Sequence, residues 1–425
     1  MRISGHAHSS NLGRMSHDHL QPPTSEERPK VLVAGGGVAA LETMLALRQL
    51  AGERLEIELL SPEPEFRYRP LDVAEPFGLG RAEPLDLAEL TRRGGATHRL
   101  GALAAVDSEH KWLETVAGER LLYDALVVAS GARAREALPG ALTFRGAPDF
   151  AAFGRLLVEL ERGPAITLAF VVPGESSWPL PLYELALMTA RHLAERHRLR
   201  TEITLVTHEA EPLEFFGQRA SQALGELLAR DGIELVLGRY ATAFAAGRLQ
   251  LVPRGELAAE RVVALPRLDV PELAGLPQDQ DGFIPTDLYG RVVGLEDVYA
   301  AGDVTTFPIK QGGLATQQAD VVARSLAAWA GVDLVPEPFQ PVLRGQLLTG
   351  GATRYLSADL TGGHGDTSKV KYQPLWWPPS KIAGTHLAPF LAQLGVGDLA
   401  ALRPAGGVEI EVDVQERLAG RPGGA

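Results

Sequence analysis

Residues 31–45 constrain the possible fold more than any other part of the chain. A short apolar run with strand character leads into three consecutive glycines, and an amphipathic helical pattern begins directly after them. Within this stretch Gly35, Gly37 and Ala40 match the spacing G-x-G-x-x-G/A, which is typical of a dinucleotide-binding loop between a strand and a helix. The stretch therefore predicts the start of an α/β domain.

Each position of this loop has a physical task. Gly35 permits the tight turn, Gly37 lets the backbone approach a pyrophosphate, and Ala40 lets the helix pack closely on the strand. Val38 and Ala39 begin the helix, and the free N–H groups of its first turn favour an anion. The alternative is a glycine-rich turn that binds no ligand. The flanking strand and helix favour nucleotide binding.

Composition narrows the class of protein. The 425 residues are enough for two or three domains, and 45% hydrophobic with 22% charged residues is an ordinary globular balance. A net charge of -12 argues against nucleic acid as a partner and against a basic membrane anchor. The chain has no cysteine, so redox chemistry in it requires a cofactor. No stretch reaches the ~18 consecutive apolar residues of a membrane-spanning helix.

The first 29 residues are polar and carry four histidines, His6, His8, His17 and His19. They lack the apolar core of a signal peptide. We expect a disordered tail, or an upstream start ahead of Met15, rather than a metal site. No metal site is predicted elsewhere.

The second strand of the first unit supplies a candidate for ribose binding. Residues 55–60 are predicted to be a strand that ends at Ser61. Dinucleotide-binding domains carry an acidic residue about 20 residues after the glycines, and it binds the adenosine ribose. Because Ser61 occupies the strand end here, Glu63 is the candidate for that role.

The remaining pattern predicts two further units. A proline-rich loop follows residues 65–70, meandering strands cover 97–122, and a buried strand at 125–129 ends in Ser130 and Gly131. The second unit contains strands at 166–172, 202–207 and 233–237. Helices are predicted from Pro181 and at 218–230. A short strand then ends at Gly302 and Asp303, and a long helix runs to about Ala330.

These elements predict an α/β protein with two Rossmann-like domains, each a three-layer unit around a central parallel sheet, plus a C-terminal α+β region. The expected division is a tail at 1–29, a discontinuous first domain at 30–150 and 281–330, a second dinucleotide-binding-like domain at 151–280, and a C-terminal domain at 331–425. A helix is expected near 380–395 in the last of these.

Four segments together resemble the two-dinucleotide-binding-domain flavoproteins. They are residues 35–40, 68–70 (Tyr-Arg-Pro), 128–131 (Val-Ala-Ser-Gly) and 299–303 (Tyr-Ala-Ala-Gly-Asp) with Lys310 after it. The chain looks most like sulfide:quinone reductases, flavocytochrome c sulfide dehydrogenases and type II NADH:quinone dehydrogenases. The resemblance implies FAD as the cofactor and an oxidoreductase activity.

The resemblance also implies roles for individual residues. An aspartate matching Asp303 hydrogen-bonds the ribityl chain, which suits a carboxylate because it accepts from hydroxyl groups. The helix after Lys310 points its start at the flavin pyrimidine ring. The N–H groups there and Lys310 would stabilise the negative charge of reduced flavin. The alternative for Lys310 is a solvated surface lysine. The implied cofactor-binding set is Gly35, Gly37, Val38, Ala39, Ala40, Ser61, Glu63, Arg69, Pro70, Ser130, Gly131, Gly302, Asp303, Gly312, Gly313 and Leu314.

Gln317 is a second candidate catalytic residue beside Lys310. In type II NADH:quinone dehydrogenases a similar helix reads Ala-Gln-x-Ala-x-Gln-Glu and lines the quinone site. Ala315 and Gln317 match that pattern, whereas Gly313 replaces the first glutamine and Gln318 the glutamate. The alternative is that Gln317 and Gln318 are a structural hydrogen-bonding pair.

Two departures from these families shape the expected function. The loop at 172–181 keeps only Gly174 of a second fingerprint, and Glu175 would repel a pyrophosphate, so NAD(P)H binding there is disfavoured but not excluded. Trp178 and Pro179 add bulk to that loop. The absence of cysteines removes the persulfide chemistry by which the sulfide-oxidising branch works, so sulfide is not expected to reduce the flavin.

The C-terminal part contains a segment with interfacial character. Its members are Trp376, Trp377, Lys381, Ile382, Leu387, Phe390, Leu391 and Leu394. Such a set is compatible with peripheral contact at a membrane. Core packing or a homodimer seam is the favoured alternative, because the segment is short and not basic. The expected location is the cytoplasm, with contact at the inner face of the membrane as the variant.

The sequence therefore predicts an FAD-dependent oxidoreductase whose electron donor is open and whose acceptor is a quinone or a protein. One alternative is an NAD(P)H:quinone or NAD(P)H:acceptor reductase with an atypical second loop. Another is a catalytically idle flavoprotein that acts as a redox sensor or assembly partner. Fold resemblance alone does not decide among them, because function depends on the site.

Overall fold

The computed structural model describes residues 28–396, apart from 165, 175–177, 198–199, 254, 351–354, 359–367, 372–375 and 377, together with residues 407–413. The predicted N-terminal tail with its histidines, Glu175, Trp377 and the glycine-rich C-terminal end lie outside the described residues.

The first part of the chain contains ten strands and two α-helices. They are β1 (Lys30–Ala34), α1 (Val38–Ala51), β2 (Glu56–Ser61), β3 (Glu65–Arg67), β4 (Pro84–Asp86), α2 (Leu87–Arg93), β5 (Thr97–Leu100), β6 (Leu103–Asp107), β7 (Trp112–Thr115), β8 (Arg120–Leu122), β9 (Ala125–Val128) and β10 (Arg133–Arg135). Single 3₁₀ turns lie at Gly52–Arg54, Arg69–Leu71 and Glu75–Phe77.

The middle part contains the second α/β unit. Its elements are β11 (Leu142–Thr143), α3 (Phe150–Arg162), β12 (Thr167–Val171), α4 (Leu180–Glu195), β13 (Glu202–Val206), α5 (Gln218–Arg230), β14 (Ile233–Val236), β15 (Tyr240–Ala245), β16 (Arg248–Val252), β17 (Glu256–Ala258), β18 (Arg261–Ala264) and β19 (Arg267–Asp269). Single 3₁₀ turns lie at Ala147–Asp149 and Glu214–Phe216.

The last part returns to the first unit and then forms the C-terminal region. Its elements are β20 (Val298–Ala300), α6 (Gly312–Trp329), β21 (Val342–Leu348), β22 (Tyr355–Ala358), β23 (Ser368–Lys371), α7 (Leu387–Gln393) and β24 (Gly407–Asp413). The antiparallel pairs β21–β24 and β22–β23 belong to this region. The predicted helix at 380–395 is shorter than expected, because Pro378, Pro379 and Gly384 precede its start and disfavour helix.

The first sheet has the strand order β20-β9-β1-β2-β5, and all its pairs are parallel. Side chains alternate between its faces, as the two-residue period of a strand requires. Val31 and Val33 of β1 pack with α1 and α6, whereas Leu32 and Ala34 pack towards the antiparallel sheet β6-β7-β8. The three expected layers are therefore present. The loops after β1, β2, β9 and β20 meet at one edge of the sheet.

The second sheet has the order β11-β18-β12-β13-β14 and is also parallel throughout. The antiparallel sheet β15-β16-β17 covers one of its faces. The chain joins this sheet already at β11, and Val270 and Leu273 pack in the core of the first domain. The chain thus enters the second sheet at β11 and packs in the core of the first domain again at Val270. The two-domain α/β architecture predicted from the sequence is confirmed.

Candidate functional site

The glycine loop between β1 and α1 forms an open anion site. Gly35 has φ +151°, and a Cβ there would lie 2.1 Å from the carbonyl oxygen of Ala129, so this position requires glycine. Gly37 is the N-cap of α1 with no side-chain cap, and no atom lies within 4 Å of a Cβ built on it. The first N–H groups of α1 have no hydrogen-bond partner among the described residues, which suits a pyrophosphate.

The end of β2 lies beside this loop. A Cβ on Gly36 would lie 2.5 Å from the Ser61 hydroxyl oxygen. That hydroxyl accepts from the Glu63 N–H and donates to the Glu63 carbonyl, both at 3.2 Å. Ser61 is thus engaged in its own turn and is buried, while Glu63 is exposed. The position of Glu63 fits the ribose role better than that of Ser61.

The ends of β9 and β20 approach the same edge of the sheet. Ser130 is exposed, and Gly131 follows with φ +71° and nothing within 4 Å of a Cβ built on it. Gly302 has φ +83°, and a Cβ there would lie 3.0 Å from the Cβ of Ala39. Its N–H donates to Oε1 of Gln318 at 2.7 Å. The turn that carries Asp303 is therefore held tightly against α1.

Three charged residues meet beyond Gly302. Burial raises the pKa of Asp303 above its usual value, while the positive charges of Lys310 and Arg69 act to lower it. Burial lowers the pKa of Lys310 to about 8, against the opposing effects of Asp303 and Asp279. The structure thus brings the predicted residues Arg69, Asp303 and Lys310 together. Lys310 is half-buried, which contradicts the alternative of a solvated surface lysine.

These features fit an FAD. No hydrogen bond from the described residues reaches the carboxylate of Asp303, so its oxygens remain able to accept from ribityl hydroxyls. The uncapped start of α1 provides donors for a pyrophosphate. Donors and acceptors are thus arranged along one edge of the first sheet in the order that the parts of an FAD require. Pro70, which precedes Leu71 in a 3₁₀ turn, lies next to Arg69 and is half-buried.

The start of α6 differs in part from the prediction. Gln311 caps this helix, because its Oε1 accepts from the Leu314 N–H at 2.8 Å. The role predicted for the Leu314 N–H is therefore corrected, since that donor is already used. The N–H groups of Gly312 and Gly313 have no hydrogen-bond partner among the described residues. A Cβ on Gly312 would lie 2.8 Å from the Ile382 side chain, so the C-terminal segment packs beside the helix start.

The two glutamines of α6 have structural partners. Gln317 accepts from the Val342 N–H and donates to the Val342 carbonyl, both at 2.8 Å. Its amide also donates to Gly313. Oε1 of Gln318 accepts a hydrogen bond from the Gly302 N–H. This geometry favours the structural alternative over a quinone-contacting role for Gln317, because both ends of its amide are satisfied.

In the loop after β12, where a nicotinamide cofactor would bind, Gly174 lies against the ring of Tyr240. A Cβ on Gly174 would lie 2.4 Å from the ring of Tyr240, and that ring stacks on His208 with centroids 5.5 Å apart. Trp178 packs against Phe216. Pro179 is the N-cap of α4 and Pro181 lies in its first turn, so the helix start has lost an N–H donor.

Sequence reasoning missed Glu209, which follows β13 at the position where a dinucleotide-binding domain carries its ribose-binding acid. Here the side chain is turned inwards and is 1% exposed. Its Oε2 accepts from the Tyr183 hydroxyl at 2.7 Å and the Thr207 hydroxyl at 2.8 Å. Burial raises the pKa of Glu209 to about 7. The sequence signal that could have identified Glu209 was an acidic residue shortly after a buried strand.

The C-terminal segment with interfacial character packs inwards. Lys381, Ile382, Leu387 and Leu391 are buried, and the other described members are half-buried. The Ile382 N–H donates to the Tyr68 hydroxyl at 2.8 Å. Core packing, the favoured alternative, therefore describes these side chains. No helix in the described part of the chain is long and apolar enough to cross a bilayer.

A cluster of ionisable side chains joins α1, α6 and the segment before α7. Ligand-type atoms of Glu42, Asp320 and His386 lie within 4.8 Å of one another. Glu42 accepts from the N–H groups of His386 and Leu387, so the cluster caps α7. Burial and the nearby Asp320 raise the pKa of Glu42 to about 8.

The fold and the site define a class of protein that a comparison with family models confirms. Residues 29–320 match the pyridine nucleotide-disulphide oxidoreductase family, and the chain belongs to it. It is an FAD-dependent oxidoreductase with an FAD/NAD(P)-binding fold, as the sequence predicted.

Relatives within this family carry several activities in their names. The chain is 26% identical to an NADH dehydrogenase-like protein of Mycobacterium tuberculosis, over 74% of this chain and 82% of that protein. It is 27% identical to the demethylphylloquinone reductase of Synechocystis sp., over 75% and 84%. It is 28% identical to a sulfide-quinone reductase of Aquifex aeolicus, over 42% and 43%. These names describe the relatives, whereas for this chain the family match shows an FAD-dependent oxidoreductase.

Solved structures share the fold. The sulfide:quinone oxidoreductase of Aquifex aeolicus superposes with a TM-score of 0.66 at 22% identity, covering 76% of this chain and 81% of that one. A type II NADH dehydrogenase of Plasmodium falciparum gives a TM-score of 0.54 at 16% identity, covering 66% and 65%. At these identities the likeness concerns the fold alone.

Proposed function

We propose that this protein is an FAD-dependent oxidoreductase that takes electrons from a donor other than NAD(P)H or sulfide and passes them to a quinone or a protein acceptor. FAD, when bound, supplies the redox chemistry. The observation that carries the proposal is the ring of Tyr240, which lies against Gly174 in the loop after β12.

Three features of the second domain argue against a nicotinamide donor. The Tyr240 ring occupies space above Gly174, where the pyrophosphate of a dinucleotide would approach the backbone. Pro179 and Pro181 at the start of α4 weaken the anion site of that helix. Glu209 is bound to Tyr183 and Thr207, so its carboxylate does not face a ribose.

Sulfide is disfavoured as the donor by composition. The chain contains no cysteine, so no thiolate is present to take up sulfur. The similarity to a sulfide-quinone reductase then concerns the flavin-binding scaffold rather than the donor chemistry.

The residues of the first domain divide the task of holding the cofactor. The first turn of α1 after Gly37 binds the pyrophosphate, and Glu63 binds the adenosine ribose. Asp303 accepts from the ribityl hydroxyls and fixes the cofactor along the sheet edge. Lys310 and Arg69 place positive charge beside Asp303 and favour additional negative charge nearby.

The proposed acceptor class is supported by the names of the relatives, two of which are quinone reductases. We place the protein in the cytoplasm, in peripheral contact with the inner face of the membrane, because quinones are dissolved there. A soluble electron-transfer protein is the second acceptor, and the fold is shared with a putidaredoxin reductase solved in complex with putidaredoxin.

The runner-up function is an NAD(P)H:quinone reductase. Its support is the NADH dehydrogenase-like relative. It would require Tyr240 and the 173–181 loop to rearrange when the dinucleotide binds.

An anaerobic absorbance titration tests the proposal. The oxidised flavin band at about 450 nm is followed while NADH, NADPH and sulfide are added in turn to the purified protein. We expect a flavin band that resists all three. Bleaching of the band by NADH or NADPH would support the runner-up function. Rapid stoichiometric bleaching by sulfide would reject the inference that a chain without cysteine cannot use sulfide. The absence of a flavin band after addition of FAD would show that the protein is not a flavoprotein.

A variant sharpens the result for the nicotinamide. Tyr240→Ala removes the ring from Gly174, and Tyr289→Ala, an exposed tyrosine on the first domain, is the matched control. If the Tyr240 ring is what excludes NADH, Tyr240→Ala should bind NADH more tightly than the wild type and the control. Equal binding by all three would show that the ring is not the obstacle.

A further inference from the structure

Lys310 is held in place by an aromatic ring that no sequence motif pointed to. Its Nζ lies 3.8 Å from the centroid of the Phe283 ring, within the range of a cation–π contact. The same ammonium donates to the carbonyl oxygen of Thr305. Phe283 and Thr305 thus hold the ammonium on two sides, and Asp303 attracts it from within the site.

The ring itself is carried by a turn with several internal hydrogen bonds. Oδ1 of Asp279 accepts from the N–H groups of Asp281 at 3.0 Å and Phe283 at 2.8 Å, and the Asp279 N–H donates to the Phe283 carbonyl at 2.9 Å. Gly282 has φ +87°, and a Cβ there would lie 2.0 Å from the Val270 carbonyl oxygen. The turn is therefore fixed against the first domain.

We propose that Phe283 is a positioning residue of the redox site, which fixes the ammonium of Lys310 beside Asp303 and so sets how strongly the site favours reduced flavin. This inference rests on the proposed function for its cofactor. It adds residues 279–283, which none of the sequence motifs includes, to the machinery of the site.

The physical reason is the flexibility of lysine. Its side chain has many accessible rotamers, and a free ammonium would leave a half-buried site for water. The ring and the Thr305 carbonyl offset that tendency without adding a negative charge. The negative charge of Asp279, on the same turn, also attracts the ammonium. A positive charge held near the cofactor stabilises its more negative, reduced form.

The effect is measured as the flavin midpoint potential of the holoprotein. We expect Lys310→Met to lower the ratio of reduced to oxidised flavin at a fixed potential about tenfold. For a two-electron couple this corresponds to a midpoint potential that is lower by about 30 mV. Phe283→Leu and Phe283→Met should lower the potential in the same direction by a smaller amount. Phe283→Tyr keeps the ring and should retain the wild-type potential. Phe244→Leu, a half-buried phenylalanine of the second domain, is the matched control.

A double variant tests whether Phe283 acts through Lys310. In the Lys310→Met background, Phe283→Leu should leave the potential unchanged, because the charge that the ring positions is gone. An equal shift in both backgrounds, or no shift from Phe283→Leu and Phe283→Met in the wild type, would overturn the inference.

The pH dependence gives an independent readout. The charged groups facing Lys310 are Asp303 and Asp279, with Arg69 acting on Asp303. Burial sets the lysine pKa at about 8, so the plot of potential against pH should change slope there in the wild type. Phe283→Leu admits water and should move this change of slope to higher pH. A change of slope at the same pH as in the wild type would contradict the inference.

The two proposals fail differently. Bleaching of the flavin by NADH would reject the proposal that the donor is not NAD(P)H. The midpoint potentials of the Phe283 variants would still test the role of Phe283. A protein that binds no FAD would overturn both.

Discussion

Replacing Lys381 by methionine should destabilise the folded protein by about 3–5 kcal/mol, the usual cost of removing one partner from a buried ion pair. Nζ of Lys381 lies 2.7 Å from both carboxylate oxygens of Glu184. Their side chains are only 5% and 1% exposed. The pair connects the segment before α7 to helix α4. The packing of the C-terminal region against the second domain therefore depends on this pair.

The size of the loss follows from what the variant leaves behind. Glu184 would keep one donor, the Leu348 N–H at 2.7 Å. One neutral donor does not replace an ammonium, and burial already raises the pKa of this carboxyl against the opposing effect of Lys381. In Lys381→Met the carboxyl must therefore take up a proton or remain as a poorly compensated buried charge.

The double variant Glu184→Gln with Lys381→Met should recover most of the loss. It contains no buried charge, and the glutamine carbonyl still accepts from Leu348. Glu184→Gln alone leaves a buried ammonium and should also be strongly destabilising. The two single losses should therefore not add, and the coupling between them should exceed about 1 kcal/mol.

The assay is urea denaturation of the holoprotein followed by tryptophan fluorescence, which yields the free energy of unfolding. Arg191→Met is the matched control on the same helix, since Arg191 pairs with Glu195 where both are about half exposed. That pair should contribute no more than about 0.5 kcal/mol. Additive losses in the double variant, or a loss from Lys381→Met no larger than that of the control, would refute the reasoning.

Variants at three other residues test the cofactor site and the cluster that caps α7. Gly37→Ala should leave the stability of the apoprotein unchanged but weaken FAD binding, measured by fluorescence titration, because only the ligand would meet the new Cβ. Asp303→Ala should weaken FAD binding roughly tenfold to a hundredfold, the loss of about 1.5–3 kcal/mol for a charged acceptor, whereas Asp303→Asn should weaken it less. Glu42 keeps a proton in the folded state that it has lost when unfolded, since its pKa is raised from 4.5 to about 8. The free energy of unfolding should therefore fall as pH rises from about 4.5 to about 8, and Glu42→Gln should flatten that pH profile.

Much of the first domain could be predicted because its signals are local. The apolar run of β1, the glycines after it and the helical period of α1 lie within 22 consecutive residues, Lys30–Ala51. Period, turn chemistry and helix start depend on backbone geometry at each position, which sequence expresses directly. The short apolar run before Asp303 likewise predicted β20, whereas the role of Asp303 came from the resemblance to flavoproteins.

The partners of individual side chains of α6 could not be predicted from the sequence. The sequence places Gln311 before the helix but does not reveal that its amide caps Leu314. Nor does it reveal that Gln317 is bound to Val342, which is 25 residues away. A glutamine on the buried face of a helix occupies the same positions in the sequence pattern whether it contacts a ligand or a strand. Periodicity therefore cannot separate the two roles.

The sequence by itself determined the two parallel sheets, the first nucleotide loop, the weakened second loop and the absence of thiol chemistry. Tertiary structure alone decided that Tyr240 covers Gly174, that Glu209 turns inwards, that Phe283 lies under Lys310 and that Lys381 is buried on Glu184. The last two partners are 197 residues apart. Secondary structure and turns follow from interactions within a few residues, whereas the burial and charge state of a side chain depend on which distant segments pack against it.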